Sequence, residues 1–500
     1  MMGDLVLQAQ WSQLSDFIAE RIGLHFPRQR WDDLQRGLAG AAKEFGFNDA
    51  AACIDWLLAR PPTPTQLQVL ASHLTIGETY FFRDGPTLEA LAHTILPELI
   101  FARRGREQRL RIWSAGCCSG EEPYSLAILL HQALPDWRDW QVTITATDIN
   151  ARFLHKAAAG VYGEWSFRNA PAGLRERYFN RTADGRHAII PEIRKLVTFE
   201  HLNLVEDAYP SLATDTNAMD VIFCRNVLMY FTPTQVRKVI GKLRHALVEG
   251  GWLAVSPSEA TQALFPRFVN VNFPGAILFR KSDAAPRAEP MRDTSNPLPE
   301  FVAAATAVSL PPAGPAAALE PAPLKEGAVI AEAPRTPLAD AELLYREGRY
   351  AETVETLLAG LAGRPPDPVA LSLLARALAN QGRLADALAW CERWIVADKL
   401  DPAGYYLRAV ILLEQGDSEQ ARSSLHRATY LEPDFVLAHF ALGNLARGRD
   451  KPGEADKHFS NALQLLRRYQ PNDSLPESDG LTAGRLAETL ASMIDVGSAA

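Results

Sequence analysis

Three tetrapeptides dominate the second half of the chain: Gly348-Arg349-Tyr350-Ala351, Gly382-Arg383-Leu384-Ala385 and Gly416-Asp417-Ser418-Glu419 recur at intervals of 34 residues. Alanines at Ala387, Ala421 and Ala455 keep that interval, and Asp401-Pro402 and Glu432-Pro433 fall where one unit would hand over to the next. A fixed period of this length marks a unit of two antiparallel helices. Such a unit cannot bury its apolar face alone and becomes stable by stacking on its neighbours.

The period is that of tetratricopeptide repeats and predicts an α-helical solenoid over residues 337–470. Asp450 stands where the fourth unit should have glycine, so about three and a half units are recognisable. Trp390, Trp394, Tyr405, Tyr406 and Phe440 are expected between the helices. Residues 471–500 read as a polar, disordered tail in which 481–494 forms at most one loose amphipathic helix.

Residues 282–336 are rich in Pro and Ala, with Phe301 the only aromatic, and predict an extended linker. Apolar residues at helical spacing near the start, such as Leu14, Phe17, Ile18 and Ile22, predict an N-terminal all-α domain over 1–85. Between 86 and 281 short apolar runs (110–113, 142–146, 221–223, 251–255) alternate with helical stretches. That pattern predicts an α/β domain with a mainly parallel sheet covered on both faces. Within it, Tyr178 to Ile190 reads as an antiparallel hairpin turning at Asp184-Gly185, the centre of a small β-subdomain at about 160–200.

With 500 residues and 47% apolar content, this multidomain chain can bury several cores. A net charge of -8 disfavours a nucleic-acid partner. No 18-residue apolar run exists for membrane insertion, and the start lacks the charged and apolar regions of a signal peptide, so a cytoplasmic location is expected. Five cysteines without CxxC spacing fit reduced thiols and imply no metal site.

The sharpest local signal is Leu110-Arg-Ile-Trp-Ser-Ala-Gly-Cys-Cys-Ser-Gly-Glu-Glu-Pro-Tyr-Ser125, a strand running into a loop with Gly116 and Gly120 and then a helix opening near Pro123. Glycines let backbone approach a ligand, and the helix start offers free N–H groups. Alone, this fits any nucleotide-binding sheet. The next strand ends in Ala146-Thr147-Asp148-Ile149, where an acidic side chain either grips ribose hydroxyls or caps the following helix. A tight Gly-x-Gly-x-x-Gly turn for a pyrophosphate is absent, and the paired carboxylates Glu121 and Glu122 would repel one while favouring a cation. A sulfonium donor, S-adenosylmethionine, is therefore preferred over NAD.

Trp113 to Ser125, Ala146 to Ile149, Phe223-Cys-Arg-Asn-Val-Leu-Met-Tyr-Phe231 and Glu78-Thr-Tyr-Phe-Phe-Arg83 together resemble the chemotaxis receptor methyltransferase (CheR) family in unbroken order over residues 12–281. Fusion to tetratricopeptide repeats is similar to the WspC type of surface-sensing systems. The resemblance implies a Rossmann-like methyltransferase domain in which Thr79, Arg83, Glu122, Asp148, Asn203, Leu204, Arg225 and Asn226 line the methyl-donor pocket. It places Asp148 on the ribose and Asn203-Leu204 along the adenine. One departure is Gly77, where many members have Asn.

The implied activity is esterification of glutamate side chains on a bacterial chemoreceptor, with S-adenosylhomocysteine as product. Arg83 is the candidate for holding a substrate or donor carboxylate and Tyr230 for orienting the reacting groups; the plainer readings are a surface ion pair and a core aromatic. Arg21, Arg28, Arg30, Arg36 and Lys43 correspond to a basic face that reads acidic receptor helices in the family, or are a solvated face. The β-hairpin is short for holding a receptor tether, so docking is assigned to the repeats and an unidentified protein or peptide partner. Deleting residues 337–500 is then expected to lower receptor methylation in cells while leaving donor affinity intact. A methyltransferase of another substrate class, or a repeat scaffold that has lost activity, are the alternative readings.

Overall fold

The computed structural model describes residues 2–206, 209–212, 214–282, 336–361 and 367–497. The linker expected at 282–336 therefore lies almost wholly outside the described residues. Four helices open the chain: α1 (Met2–Arg21), α2 (Trp31–Glu44), α3 (Ala50–Ala59) and α4 (Pro64–Leu74). Their boundaries follow the local chemistry. Asp49 caps α3 by accepting from the Ala52 N–H, and α4 starts with a Thr63/Gln66 capping box followed by Pro64. Leu14, Ile18, Leu34, Leu38, Ile54 and Leu70 are fully buried between these helices.

A loop over 75–84 leads into α5 (Gly85–Ala90), which runs through a π-turn segment (Leu91–Ile95) into α6 (Leu96–Arg103). The following domain is built on β1 (Arg109–Ala115), β2 (Gln141–Asp148), β6 (Val197–His201), β7 (Met219–Phe223), β8 (Leu247–Ala254), β9 (Phe268–Phe273) and β10 (Ala276–Lys281). They form one sheet in the order β6-β2-β1-β7-β8-β10-β9. The first five are parallel, and β10 is antiparallel to both neighbours. Every residue of β1 and β7 is buried, as the interior strands of a parallel sheet covered on both faces are. Helices α7 (Glu121–Ala133), α8 (Ala151–Ala159) and α11 (Pro233–Ala246) provide the crossovers, with short α9 (Leu174–Tyr178) and α10 (Pro191–Arg194) between them.

The expected hairpin is present as β4 (Phe179–Arg181) and β5 (His187–Ile189), turning through Gly185 at φ +81°. A third strand the sequence did not announce, β3 (Val161–Tyr162), pairs with β5.

Downstream, α12 (Pro337–Arg346) and α13 (Tyr350–Leu361), α14 (Pro368–Asn380) and α15 (Leu384–Ala397), α16 (Pro402–Glu414) and α17 (Ser418–Leu431), and α18 (Val436–Gly448) and α19 (Pro452–Leu466) make four hairpins among the described residues. The fourth unit is complete. Asp450 adopts φ +54°, the left-handed turn that Gly348, Gly382 and Gly416 take at +69°, +74° and +82°, because Asp tolerates that region better than most side chains. The stretch after Gln470 is also corrected. It is not a disordered tail: Leu475, Leu481, Leu486 and Leu490 are buried against α18 and α19, and α20 (Ala483–Gly497) closes the stack.

The repeats rest on the starting end of β1. Glu414 of α16 accepts from Arg109 at 2.7 Å and lies 3.3 Å from Arg111, all three side chains being under 10% exposed.

Candidate functional site

Successive strands are added outward to one side from β1 and to the other from β7, so the loops leaving the carboxyl ends of these two parallel strands part and open a crevice. One cavity there is lined by Thr79, Arg83, Gly116, Glu122, Asp148, Asn203, Leu204, Arg225, Asn226 and Tyr230. All ten candidate site residues from the sequence thus meet in one place, drawn from five separate segments.

The floor is the loop after β1. Gly116 sits at φ +86° with its N–H on the Thr147 carbonyl at 2.8 Å, and a Cβ there would come 2.3 Å from the Val227 side chain. Only glycine meets both demands. At the tip of β2, Asp148 accepts from the Cys118 and Asn150 N–H groups, each at 2.8 Å. Helix α8 is capped by Asn150 instead, whose side chain accepts from Arg152 and Phe153. Burial pushes the Asp148 carboxyl up to about 6 against the pull of these backbone donors. The thiols of Cys117 and Cys118 are raised by burial as well, Cys118 to about 12, so neither is a thiolate at neutral pH.

The paired carboxylates separate, which corrects their reading as a joint cation site. Glu121 points away from the cavity and accepts from Ser119 at 2.7 Å and Ser166 at 2.9 Å. Glu122 alone faces the cavity, accepting from Ser114 at 2.7 Å and Arg225 at 3.0 Å. Arg225 also reaches Asp84 at 3.1 Å and the Arg83 carbonyl at 3.2 Å. Its side chain is 3% exposed.

The loop from Glu78 to Asp84 is held under strain. Phe82 and Asp84 lie at φ +59° and +64°, uncommon for any side chain and an outlier for an aromatic one. Compensation comes from the Phe82 N–H on Ser125 Oγ at 3.0 Å and from Asp84 holding Thr87 and Arg225. Arg83 is left partly exposed, donating to the Glu78 carbonyl at 2.6 Å with its guanidinium 5.7 Å from the Tyr80 ring. Arg83 is thus not half of a surface ion pair; its carbonyl bond leaves other donors of the guanidinium for a ligand.

The connection between α1 and α2 forms part of the wall. Asn203 donates to the Arg21 carbonyl at 2.7 Å, and His25, Phe26 and Arg30 line the cavity beside Tyr230. The Arg30 guanidinium lies 5.3 Å from the Phe26 ring and 5.8 Å from the Tyr230 ring. Arg30 had been grouped with a basic outer face. That series is tied up locally: Arg21 pairs with Glu206 at 2.9 Å, and Asp33 is shared by Arg36 and, at 3.2 Å, by Arg30.

Two features escaped the sequence reading. Glu259, 4% exposed, accepts from the N–H groups of Asn226, Val227 and Met229 at 2.8–3.1 Å and from Ser256. It fixes the loop that carries Asn226 at φ +57°. A single carboxylate in a polar turn gives no motif to find. The second is Phe153, which explains Gly77: a Cβ on Gly77 would come 2.5 Å from the tip of the Phe153 ring, itself part of the cavity wall. The place of an Asn side chain is filled by an aromatic one.

Carboxylates at Glu122 and Asp148, with Ile149, Phe153 and Leu204 as apolar wall, fit a ligand combining a cation, a ribose and a flat ring. The CheR methyltransferase SAM-binding domain model matches residues 77–274, and tetratricopeptide repeat models match 344–411 and 406–474. A probable biofilm formation methyltransferase WspC of Pseudomonas aeruginosa is 30% identical over 393 residues, 77% of this chain and 83% of that protein. This chain belongs to the CheR methyltransferase family. The corresponding protein of Pseudomonas putida is 30% identical over 446 residues, covering 86% of this chain and 93% of its own. A chemotaxis protein methyltransferase of Borreliella burgdorferi, 30% identical over 256 residues, covers 51% of this chain and 89% of its own. Relatives such as WspC thus extend into the repeats, while this shorter one aligns with half of the chain. As a CheR-family enzyme the chain is a methyltransferase with a domain for S-adenosylmethionine. No helix among the described residues is long and apolar enough to cross a membrane.

Proposed function

We propose that the chain transfers a methyl group from S-adenosylmethionine to glutamate side chains of a bacterial chemoreceptor, giving glutamate methyl esters and S-adenosylhomocysteine in a sensory adaptation or surface-sensing pathway. The observation that carries the reading is the convergence of Glu122, Asp148 and Arg225 in the crevice of a CheR-family sheet, with Arg30 and Arg83 also lining it. Bound S-adenosylmethionine would supply an electrophilic methyl on sulfur. A glutamate substrate is ionised at neutral pH, so no general base is needed.

The residues then serve positioning and charge. Asp148 accepts from ribose hydroxyls, Leu204 and the backbone beside Asn203 lie along the adenine, and Thr79 and Asn226 contribute polar edges. Arg225, fixed by two carboxylates, holds Glu122 toward the cationic side of the donor. Arg83 draws in the substrate carboxylate, and Tyr230 limits its approach. Bringing an anion and a sulfonium together away from water supplies most of the acceleration.

The test is transfer of labelled methyl groups to a receptor cytoplasmic fragment as base-labile esters. Arg83→Ala should abolish transfer while circular dichroism stays unchanged; normal turnover in that variant would refute the assignment.

A further inference from the structure

The shared face of the repeats' leading helices is already filled by the chain itself. Between α19 and α20, residues 471–482 form a loop closed by the Leu475 N–H on the Leu481 carbonyl at 2.9 Å and by a bridge between Ser474 and Thr482. Its tip, Glu477-Ser478-Asp479, reaches across the stack to Arg376 of α14. Arg376, 12% exposed, is ion-paired with Glu477, and its second nitrogen is 3.9 Å from Asp479. Asp479 also meets Tyr345 of α12 and the Leu212 backbone, while Tyr345 is held by Asn380 of α14 at 2.9 Å. An acidic tip is thus read by one arginine and one tyrosine hydroxyl on neighbouring hairpins, as an extended acidic peptide would be.

The tip owes its conformation to these contacts. Glu477 sits at φ +64°, a left-handed region that a glutamate does not prefer, and Asp479 at +52°, where an aspartate is better tolerated. A segment held in place against its own backbone preference is one that a competing ligand can displace.

We propose that this face of the repeats is a binding site for an acidic extended protein segment, kept occupied by the chain's own Glu477–Asp479 tip until a partner displaces it. The exchange reaches the methyltransferase domain. The Ser211 hydroxyl donates to the Ser478 carbonyl at 3.0 Å, and Leu212 packs against two of the repeat cores. Displacing the tip would therefore release the loop before β7.

The test needs no methyl transfer, so its outcome is separate from that of the proposed activity. Two full-length variants empty the site: Glu477→Ala with Asp479→Ala, which keeps the buried Leu475 and Leu481, and replacement of residues 474–481 by a glycine–serine segment of equal length. The probe is a fluorescein-labelled synthetic peptide of residues 471–482, read by anisotropy. Each variant should bind it at least tenfold more tightly than the unmodified chain, and adding Arg376→Ala should remove that gain, as should a peptide with Gln and Asn at 477 and 479. No binding to either variant, or binding that survives Arg376→Ala, overturns the proposal.

Discussion

Arg225 and Glu122 face each other at 3.0 Å with side chains 3% and 16% exposed, and Asp84 completes a near-buried triad across the crevice. Two carboxylates on one guanidinium leave the group with net negative charge, an environment suited to a cationic donor. Arg225→Ala strands both carboxylates and should cost about 3 kcal/mol of stability, within the range for breaking a buried pair from one side. It should also weaken S-adenosylhomocysteine binding in calorimetry. Glu122→Gln should fold normally and discriminate less between S-adenosylmethionine and its neutral product. Equal selectivity in wild type and Glu122→Gln would show that Glu122 does not sense the charge.

Asp148 gives the site a pH dependence. Its carboxyl, raised by burial from 3.8 to about 6, stays protonated in the folded protein over a range where the unfolded chain has lost the proton. The folded state therefore binds more protons between these values, and stability from this group is complete below about 4 and falls as pH rises through 6, by at most about 3 kcal/mol. Ligand affinity runs the other way, because only the ionised form accepts freely from ribose hydroxyls. Affinity for S-adenosylhomocysteine should drop below pH 6, and Asp148→Asn should bind weakly at every pH. A flat affinity profile from pH 5 to 8 would remove Asp148 from the ribose.

Gly77 and Phe153 compete for one space. Gly77→Asn alone forces the Phe153 ring out of the cavity wall and should destabilise the fold by roughly 1–3 kcal/mol, the usual cost of overpacking. Gly77→Asn with Phe153→Leu should recover stability and donor affinity together. Failure of the second change to rescue the first, in thermal melts and calorimetry, would show that the contact does not govern the site.

These residues also mark what the sequence made legible. Gly116 and Asp148 were readable because strand-end position and glycine spacing are local, Arg225 came only through the family resemblance of its motif, and the repeat period gave the solenoid because each unit copies its neighbour. Glu121 was misassigned because adjacent residues at a helix start point in different directions, so proximity in sequence gave no common face. Arg30 and Phe153 were missed as wall residues because they arrive from other elements through tertiary packing. Residues 471–482 looked like a tail because their few leucines are buried only by α18 and α19.

Glu259 supports the far wall by accepting from three backbone donors of the Asn226–Met229 loop, those of Asn226, Val227 and Met229. Glu259→Ala would leave those N–H groups unsatisfied, each costing about 1–3 kcal/mol if it stays dry, so the loop should open to water rather than bear the cost. Hydrogen exchange over 226–231 should accelerate and S-adenosylhomocysteine affinity fall, with protection in β1 and β2 retained. Unaltered exchange in that loop would mean its shape is fixed by other contacts.

Glu414 tests whether the repeats can be treated as a detachable arm. Its carboxylate meets Arg109 and Arg111 under nearly complete burial, and Arg485 of α20 reaches the His201 carbonyl at the end of β6, two residues before Asn203. Deleting residues 337–500 would uncover both arginines and Leu212 and release the strand that carries the cavity wall. A clean separation of receptor methylation from donor affinity is therefore not expected of that deletion. Glu414→Ala isolates the electrostatic part: it should lower stability to urea by about 3 kcal/mol while S-adenosylhomocysteine affinity stays within a few-fold of wild type. The deletion should lose affinity more steeply. If instead the truncated chain binds S-adenosylhomocysteine as well as the intact one, the two modules are energetically independent despite their contact.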